Sequence, residues 1–313
     1  VVLVLVCSSF TVFAAAEAYP EYPLPRNAIL YSEIEGQLKA LEAKNPALMD
    51  YEVMGRSAGG KNLYLVTISD AAGMKNLAKY QKFMHDAVNN PEAAKKALKG
   101  SDTKIPVFFN ASIHGNETTG TDGVMKLIEK LLTDNSATTK GILQNCIILI
   151  NVCQNPDGRI DNHRENANGT DLNRDYITQS QPEVQAVVKN VAMKWFPTAM
   201  LDLHGFMTSD NVLLEPCTIP HNPNYEFDLE IKYLLPHAEA IAADLTALTK
   251  RDIDIPYKVW EDGWDDYPPI FTPMYFMYLG TGGHTLEVKF PNRHRISYLH
   301  TNSYASRSYS TNN

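Results

Sequence analysis

The chain has 313 residues, 44% of them hydrophobic, enough apolar material for one large domain with a substantial core. Its formal charge of -8 and pI near 5.6 argue against nucleic acid or an anionic membrane surface as the main partner. Acidic and basic residues are interspersed, and no linker, charge run or repeat divides the chain.

In chain order, the first feature is an apolar run from Val1 to Phe13 followed by Ala14-Ala15-Ala16 and Glu17. The run is too short to span a bilayer comfortably, and small residues follow it, so residues 1–18 are expected to be the remnant of a signal peptide. Cleavage after Ala16 or Ala18 leaves a secreted or periplasmic domain at 19–313 with no membrane attachment. The competing reading is a buried N-terminal strand or a retained anchor. Cys7 has no small residue before it, which argues against lipidation there.

Apolar runs at Leu63–Ile68, Ile105–Phe109, Ile147–Val152, Ala199–Leu203 and Thr285–Phe290 are predicted strands. Between them, Val124, Leu127, Ile128 and Leu131 recur at helical spacing, as do Leu234, Ala238, Ile241 and Leu245. Residues 77–98 also have a helical pattern, interrupted at Pro91. Near-continuous apolar strands alternating with helices predict an α/β domain whose largely buried sheet is covered on both faces. Beyond Cys7 the cysteines are Cys146, Cys153 and Cys217. The first two stand roughly 23 Å apart along one strand at about 3.3 Å per residue, so no bridge joins them. They are expected to be buried thiols.

In such sheets functional groups collect beyond the carboxyl ends of the strands. His114 and Glu117 follow the strand at 105–109, Asn155-Pro-Asp-Gly follows that at 147–152, and His204 follows that at 199–203. Two imidazoles and one carboxylate give zinc three protein ligands and leave a fourth position for water, the pattern of a catalytic site. The spacing His-x-x-Glu occurs twice, the second time at His284 and Glu287. That second pair lies within a predicted strand, where positions three apart face opposite sides, so it cannot hold one ion. Glu287 alone can still point into the site.

Six stretches carry a family resemblance: Met54-Gly-Arg-Ser-Ala-Gly-Gly-Lys-Asn-Leu, His114-Gly-Asn-Glu, Asn155-Pro-Asp-Gly, Arg164-Glu-Asn-Ala-Asn-Gly-Thr-Asp-Leu-Asn-Arg-Asp, Leu201-Asp-Leu-His-Gly and His284-Thr-Leu-Glu. In this order the chain resembles the zinc metallocarboxypeptidases of the funnelin type, the carboxypeptidase A-like peptidases. The resemblance implies an α/β/α sandwich on a mixed, mostly parallel eight-stranded twisted sheet. It also implies one zinc ion on His114, Glu117 and His204, and a peptide or protein substrate with a free C-terminus.

Residue roles follow from the same resemblance. Glu287 matches the general base that takes the water proton and delivers it to the leaving amine. Arg164 is placed to stabilise the oxyanion, with Arg159 as the competing assignment. Asn173 and Arg174 match the pair that grips the terminal carboxylate of the substrate. Asp171 is placed to accept the other ring N–H of a zinc-bound histidine, and Asp202 is a second candidate for such a role. Tyr267, ahead of Tyr275 and Tyr278, is the candidate tyrosine that closes over substrate. Phe271-Thr-Pro-Met hints at an apolar specificity.

His85, His163, His221, His237, His294 and His300 read as surface or packing residues. Asn116-Glu-Thr forms a sequon, but a glycan between two metal ligands would obstruct the site. From about 295 the chain lacks helical periodicity, and a disordered or truncated tail is expected there. Two readings compete with the peptidase: a zinc deacylase of N-acyl amino acids, and a non-catalytic secreted module binding peptide or glycan on the same fold.

Overall fold

The structure is a computed structural model that describes residues 28–98, 103–206, 212–216, 224–250, 253–255 and 268–289. The expected signal remnant, Cys217, Tyr267, the tail from 295, His221, His294 and His300 all lie outside those residues.

Eight strands form one sheet: β1 (Met49–Arg56), β2 (Asn62–Ile68), β3 (Ile105–Ala111), β4 (Cys146–Asn151), β5 (Ala199–Phe206), β6 (Val212–Pro216), β7 (Ile253–Asp254) and β8 (Gly282–Lys289). Their spatial order is β1-β2-β4-β3-β5-β8-β6-β7. The central strands β4, β3, β5 and β8 run parallel. Antiparallel neighbours flank them, β2 against β4 on one side and β6 against β8 on the other. The sheet is thus mixed and mostly parallel, as the resemblance implies.

The pleat sorts side chains between two cores. Ile148, Ile150, Leu201 and Leu286 pack under helices Tyr31–Lys44, Thr119–Thr133 and Leu235–Thr249, joined by Ile34, Leu38, Val124, Ile128 and Leu245. On the other face Phe108, Leu149 and Met200 pack with Val184, Val187, Trp195 and Phe276 from the helical segments 182–195 and Thr272–Met277. Each side chain fully buried in this way contributes about 1.5–3 kcal/mol, which is why both faces of the central strands are apolar. The predicted break at Pro91 separates two helices, Leu77–Asn89 and Pro91–Leu98. Cys146 is half-buried and Cys153 buried, and both are free thiols.

The edge strand β1 is absent from the sequence expectations. Only Met49 of its eight residues is buried, so it lacks the apolar run that marks the central strands. Its partners are set by pairing with β2, whose Leu63, Tyr64, Leu65 and Val66 are buried.

Candidate metal centre

The loop after β3 is fixed by backbone geometry before any side chain reaches the site. Ser112 adopts a left-handed conformation, φ 51°, and turns the chain out of the strand. Its hydroxyl donates to the Glu117 carbonyl at 3.1 Å and lies 2.9 Å from the Thr121 hydroxyl. Thr121 in turn donates to the Val152 carbonyl beyond β4 at 2.8 Å.

Gly115 lies with its Cα against the backbone of Gly158 and Arg159, so that a Cβ there would overlap main-chain atoms. The histidine loop is thereby pressed onto the Asn155-Pro-Asp-Gly turn. Asn155 caps helix Pro156–Asp161 by accepting from the Gly158 amide at 2.8 Å. Its Nδ2 donates to the Arg164 carbonyl at 3.0 Å. Three of the sequence motifs are therefore one interlocked unit.

His114, Glu117 and His204 come together from the loop after β3 and from β5, and all three are buried. One ligand atom from each lies within 4.8 Å of the others. His114 Nδ1 is 2.8 Å from Glu117 Oε1, and His204 Nδ1 is 3.1 Å from Glu117 Oε2. The outer nitrogens have their own carboxylates: His114 Nε2 is 3.1 Å from Asp171 Oδ1, and His204 Nε2 is 3.0 Å from Asp202 Oδ2. A neutral imidazole that donates outward through Nε2 offers its Nδ1 lone pair inward, so once His204 gives up its second proton the donor set suits one borderline-soft cation. Outer carboxylates of this kind fix the tautomer and ring orientation of metal-binding histidines.

Electrostatics follow the same geometry. Burial alone would raise the Glu117 carboxyl, but His204 and His114 more than reverse it and hold it down at about 2. Burial would lower His204, yet Asp202 and Glu117 outweigh it and push the imidazole well above its ordinary value. Asp171 is partly desolvated, but His114, Arg164 and Arg174 hold it well below the usual carboxylate range.

The two candidate arginines occupy different worlds. Arg159 is fully buried and donates to the Ile29 carbonyl at 3.2 Å, the Thr118 carbonyl at 3.0 Å and Asp122 Oδ1 at 3.0 Å. Its guanidinium is consumed by the scaffold. Arg164 is half-exposed: its Nε and Nη2 fork onto Asp171 Oδ2, each at 3.0 Å. Its Nη1 points inward, 3.2 Å from His114 Nδ1 and 3.5 Å from Glu117 Oε1.

Asn173 and Arg174 lie on the same rim. Asn173 Oδ1 accepts from the Thr272 amide at 2.9 Å and its hydroxyl at 3.1 Å. The Arg174 guanidinium sits 4.4 Å from the centre of the Phe271 ring, with its head half-exposed. Tyr275 and Tyr278 have internal partners: the Tyr275 hydroxyl accepts from Gln179 Nε2 at 3.0 Å, and Tyr278 packs on Tyr225.

On β8, Glu287 is the register partner of His204, so both side chains lie on one face of adjacent parallel strands. His284 pairs with Leu201 on the opposite face, where its Nε2 is 2.9 Å from His237 Nδ1. An apolar cavity of about 400 Å³, lined by Val107, Phe109, Leu201, His237, His284 and Leu286, opens on that face. It lies away from the metal candidates, and among the described residues its lining has no convergent set of charged groups.

Sequence reasoning did not single out Asn110, Asn151 and Gln154, which form a buried polar row behind Asp202. A signal was present: the apolar runs of β3 and β4 each carry an asparagine near the carboxyl end.

Comparison with known proteins identifies the family and the fold. The profile of the zinc carboxypeptidase family matches residues 34–216, more than half of the chain. Carboxypeptidase SOL1 of Arabidopsis thaliana is 26% identical over 210 residues, 62% of this chain and 36% of that protein. Mouse carboxypeptidase D is 24% identical over 177 residues, 52% of this chain and 11% of that protein. Among solved structures, a metallo-carboxypeptidase from Burkholderia cenocepacia has a TM-score of 0.62 at 18% identity, covering 85% of this chain and 62% of that one. Carboxypeptidase A from Helicoverpa armigera has a TM-score of 0.60 at 17% identity, covering 85% and 66%. The chain thus spans about a third of the Arabidopsis relative and under two thirds of these solved chains.

Proposed function

We propose that this chain, which belongs to the zinc carboxypeptidase family, removes C-terminal residues from peptides by metal-assisted hydrolysis. The observation that carries the reading is the convergence of two imidazole Nδ1 atoms on the Glu117 carboxylate, with each Nε2 held by its own acid.

His114, Glu117 and His204 would hold one zinc ion. When bound, zinc lowers the pKa of a coordinated water and polarises the scissile carbonyl. The rest of the chemistry belongs to the side chains. Glu287, across from His204 on β8, takes the proton from the attacking water and returns it to the leaving nitrogen. Arg164 Nη1, aimed at the same locus, meets the negative charge that grows on the carbonyl oxygen.

Asp171 serves both neighbours, accepting from His114 on one oxygen and from Arg164 on the other. A half-exposed guanidinium on Arg174 beside the amide of Asn173 suits a terminal carboxylate, which accepts forked hydrogen bonds. Tyr267 is the proposed closing tyrosine.

The test is mass spectrometry of peptides incubated with the purified protein, with and without chelator. Stepwise loss from free C-termini, abolished by chelator and restored by zinc, is the expected result. Exclusive hydrolysis of N-acetyl or N-succinyl amino acids would replace this reading with the deacylase. Peptide binding without turnover in added zinc would leave only a binding module.

A further inference from the structure

The two histidines of the metal centre are oriented by different means. Asp171, behind His114, lies at the partly exposed rim and is gripped by Arg164 and the Asn173 amide. Asp202, behind His204, is fully buried within the sheet, with no Lys or Arg ion pair among the described residues, and its Oδ2 lies 3.0 Å from His204 Nε2. Its second oxygen, Oδ1, instead accepts from Asn110 Nδ2 at 2.9 Å.

Asn110 sits at the centre of a row that strand register creates. Asn151 on β4, Asn110 on β3 and Asp202 on β5 are successive register partners across three parallel strands, and all are completely buried. Asn151 Nδ2 donates to Asn110 Oδ1 at 2.8 Å. Asn110 Nδ2 gives one hydrogen to Asp202 and the other to Gln154 Oε1 at 2.6 Å, and Gln154 Nε2 donates to the Tyr176 hydroxyl at 3.0 Å. The donors between the strands therefore point one way, toward the carboxylate next to His204.

Burying amides costs free energy unless they are hydrogen-bonded, and apolar side chains at these positions would pack the sheet without that cost. The row ends on a metal candidate. An aspartate carboxylate turns easily about its last torsion, and in a buried site its two oxygens are fixed only by what donates to them.

We propose that Asn110 is a positioning residue for the metal centre: it locks the Asp202 carboxylate so that Oδ2 receives the Nε2–H of His204, leaving Nδ1 for the metal. This rests on the zinc reading of His114, Glu117 and His204. Asn110 touches neither metal nor substrate. The Asn151–Asn110 link extends the lock to β4, so the ring is referenced to three strands.

An exchange of residues tests it, with zinc affinity read by competition with a chromogenic chelator and the melting temperature of the metal-free protein read in parallel. Asn110→Asp sets two carboxylates against each other, and Asp202→Asn sets two amide donors against each other. Each is expected to weaken zinc binding by about tenfold or more, the range known for outer-shell partners of metal ligands. The double exchange restores one donor facing one acceptor between these two positions, leaving only the Gln154 contact altered, and is expected to bind zinc more tightly than either single exchange.

Asn110→Ala, which adds no charge, decides the matter if a single exchange variant does not fold. Its expected result is again a loss of about tenfold in affinity. A lowered melting temperature in that variant with unchanged zinc affinity overturns the proposal and leaves Asn110 a packing residue. Failure of the underlying reading looks different, because the unmodified protein would then bind zinc no better than His204→Ala.

Discussion

His204 and Glu287 are register partners on adjacent parallel strands, which sets a candidate metal ligand and a candidate proton acceptor on the same face of the sheet. No loop intervenes between them. The distance from ligand to base is thus set by the hydrogen-bond ladder of β5 and β8.

That ladder makes the Glu287→Gln variant informative, because the amide preserves shape and leaves the metal ligands in place. Turnover is expected to fall by about 100-fold or more, the contribution typical of a positioned acid–base group. Zinc content, measured by elemental analysis, should not change. Near-normal kcat would remove Glu287 from the role.

Arg174→Ala separates recognition from chemistry. Losing a charged hydrogen-bond donor to a carboxylate is worth about 1.5–3 kcal/mol, or roughly 10- to 100-fold in kcat/KM for peptides with a free C-terminus. C-terminally amidated peptides should be little affected. Equal losses on both substrates would sink the exopeptidase assignment.

Acidity of the metal-free centre gives a signed prediction. His204 is raised well above its ordinary 6.5, so its contribution to stability is complete below that value and is lost as pH rises through the folded value. Glu117 is lowered from 4.5 to about 2, so its contribution is present above 4.5 and is lost as pH falls toward 2. In chelator, the advantage in melting temperature over His204→Ala should peak between pH 4.5 and 6.5. Zinc must then displace a proton from His204, so calorimetry in buffers of different ionisation heat should detect release of about one proton near neutral pH. Absence of both effects would show that His204 is neutral without metal.

Backbone packing between motifs is tested by a pair of glycines. Gly115→Ala forces a methyl into the Gly158 and Arg159 main chain and is expected to cost about 2 kcal/mol or more. Gly141, inside helix Ala137–Asn145, has no atom within 4 Å of a built Cβ. Gly141→Ala should stabilise by about 0.5–1 kcal/mol through helix propensity. Denaturant titration of the two variants should move in opposite directions, and a neutral Gly115→Ala would contradict the interlocked loops.

What the sequence made legible divides along physical lines. His114, Glu117 and His204 could be singled out because metal chemistry restricts the residue types and because each follows an apolar strand. The central strands were visible because burial on both faces leaves long apolar runs. β1 was not, because an exposed edge strand has no such run. Spacing alone did not choose between Arg159 and Arg164, which stand five positions apart after the same turn; the resemblance favoured Arg164, and the structure separates the two by burial and by where each guanidinium points. Asn110 escaped notice for a similar reason. Its meaning comes from which residues stand beside it on β4 and β5, and register is a property of the assembled sheet.

The buried guanidinium of Arg159 has a reach beyond its own helix. It clasps the Ile29 carbonyl at one end and the Thr118 carbonyl, next to the ligand Glu117, at the other. Asp122 closes the clasp by accepting from both Arg159 and the Ile29 amide. The segment entering the first helix is therefore tied through one side chain to the ion-binding loop some ninety residues later. A nick beside Ile29 is expected to lower zinc affinity without touching a single ligand, which chelator competition on the nicked protein would read.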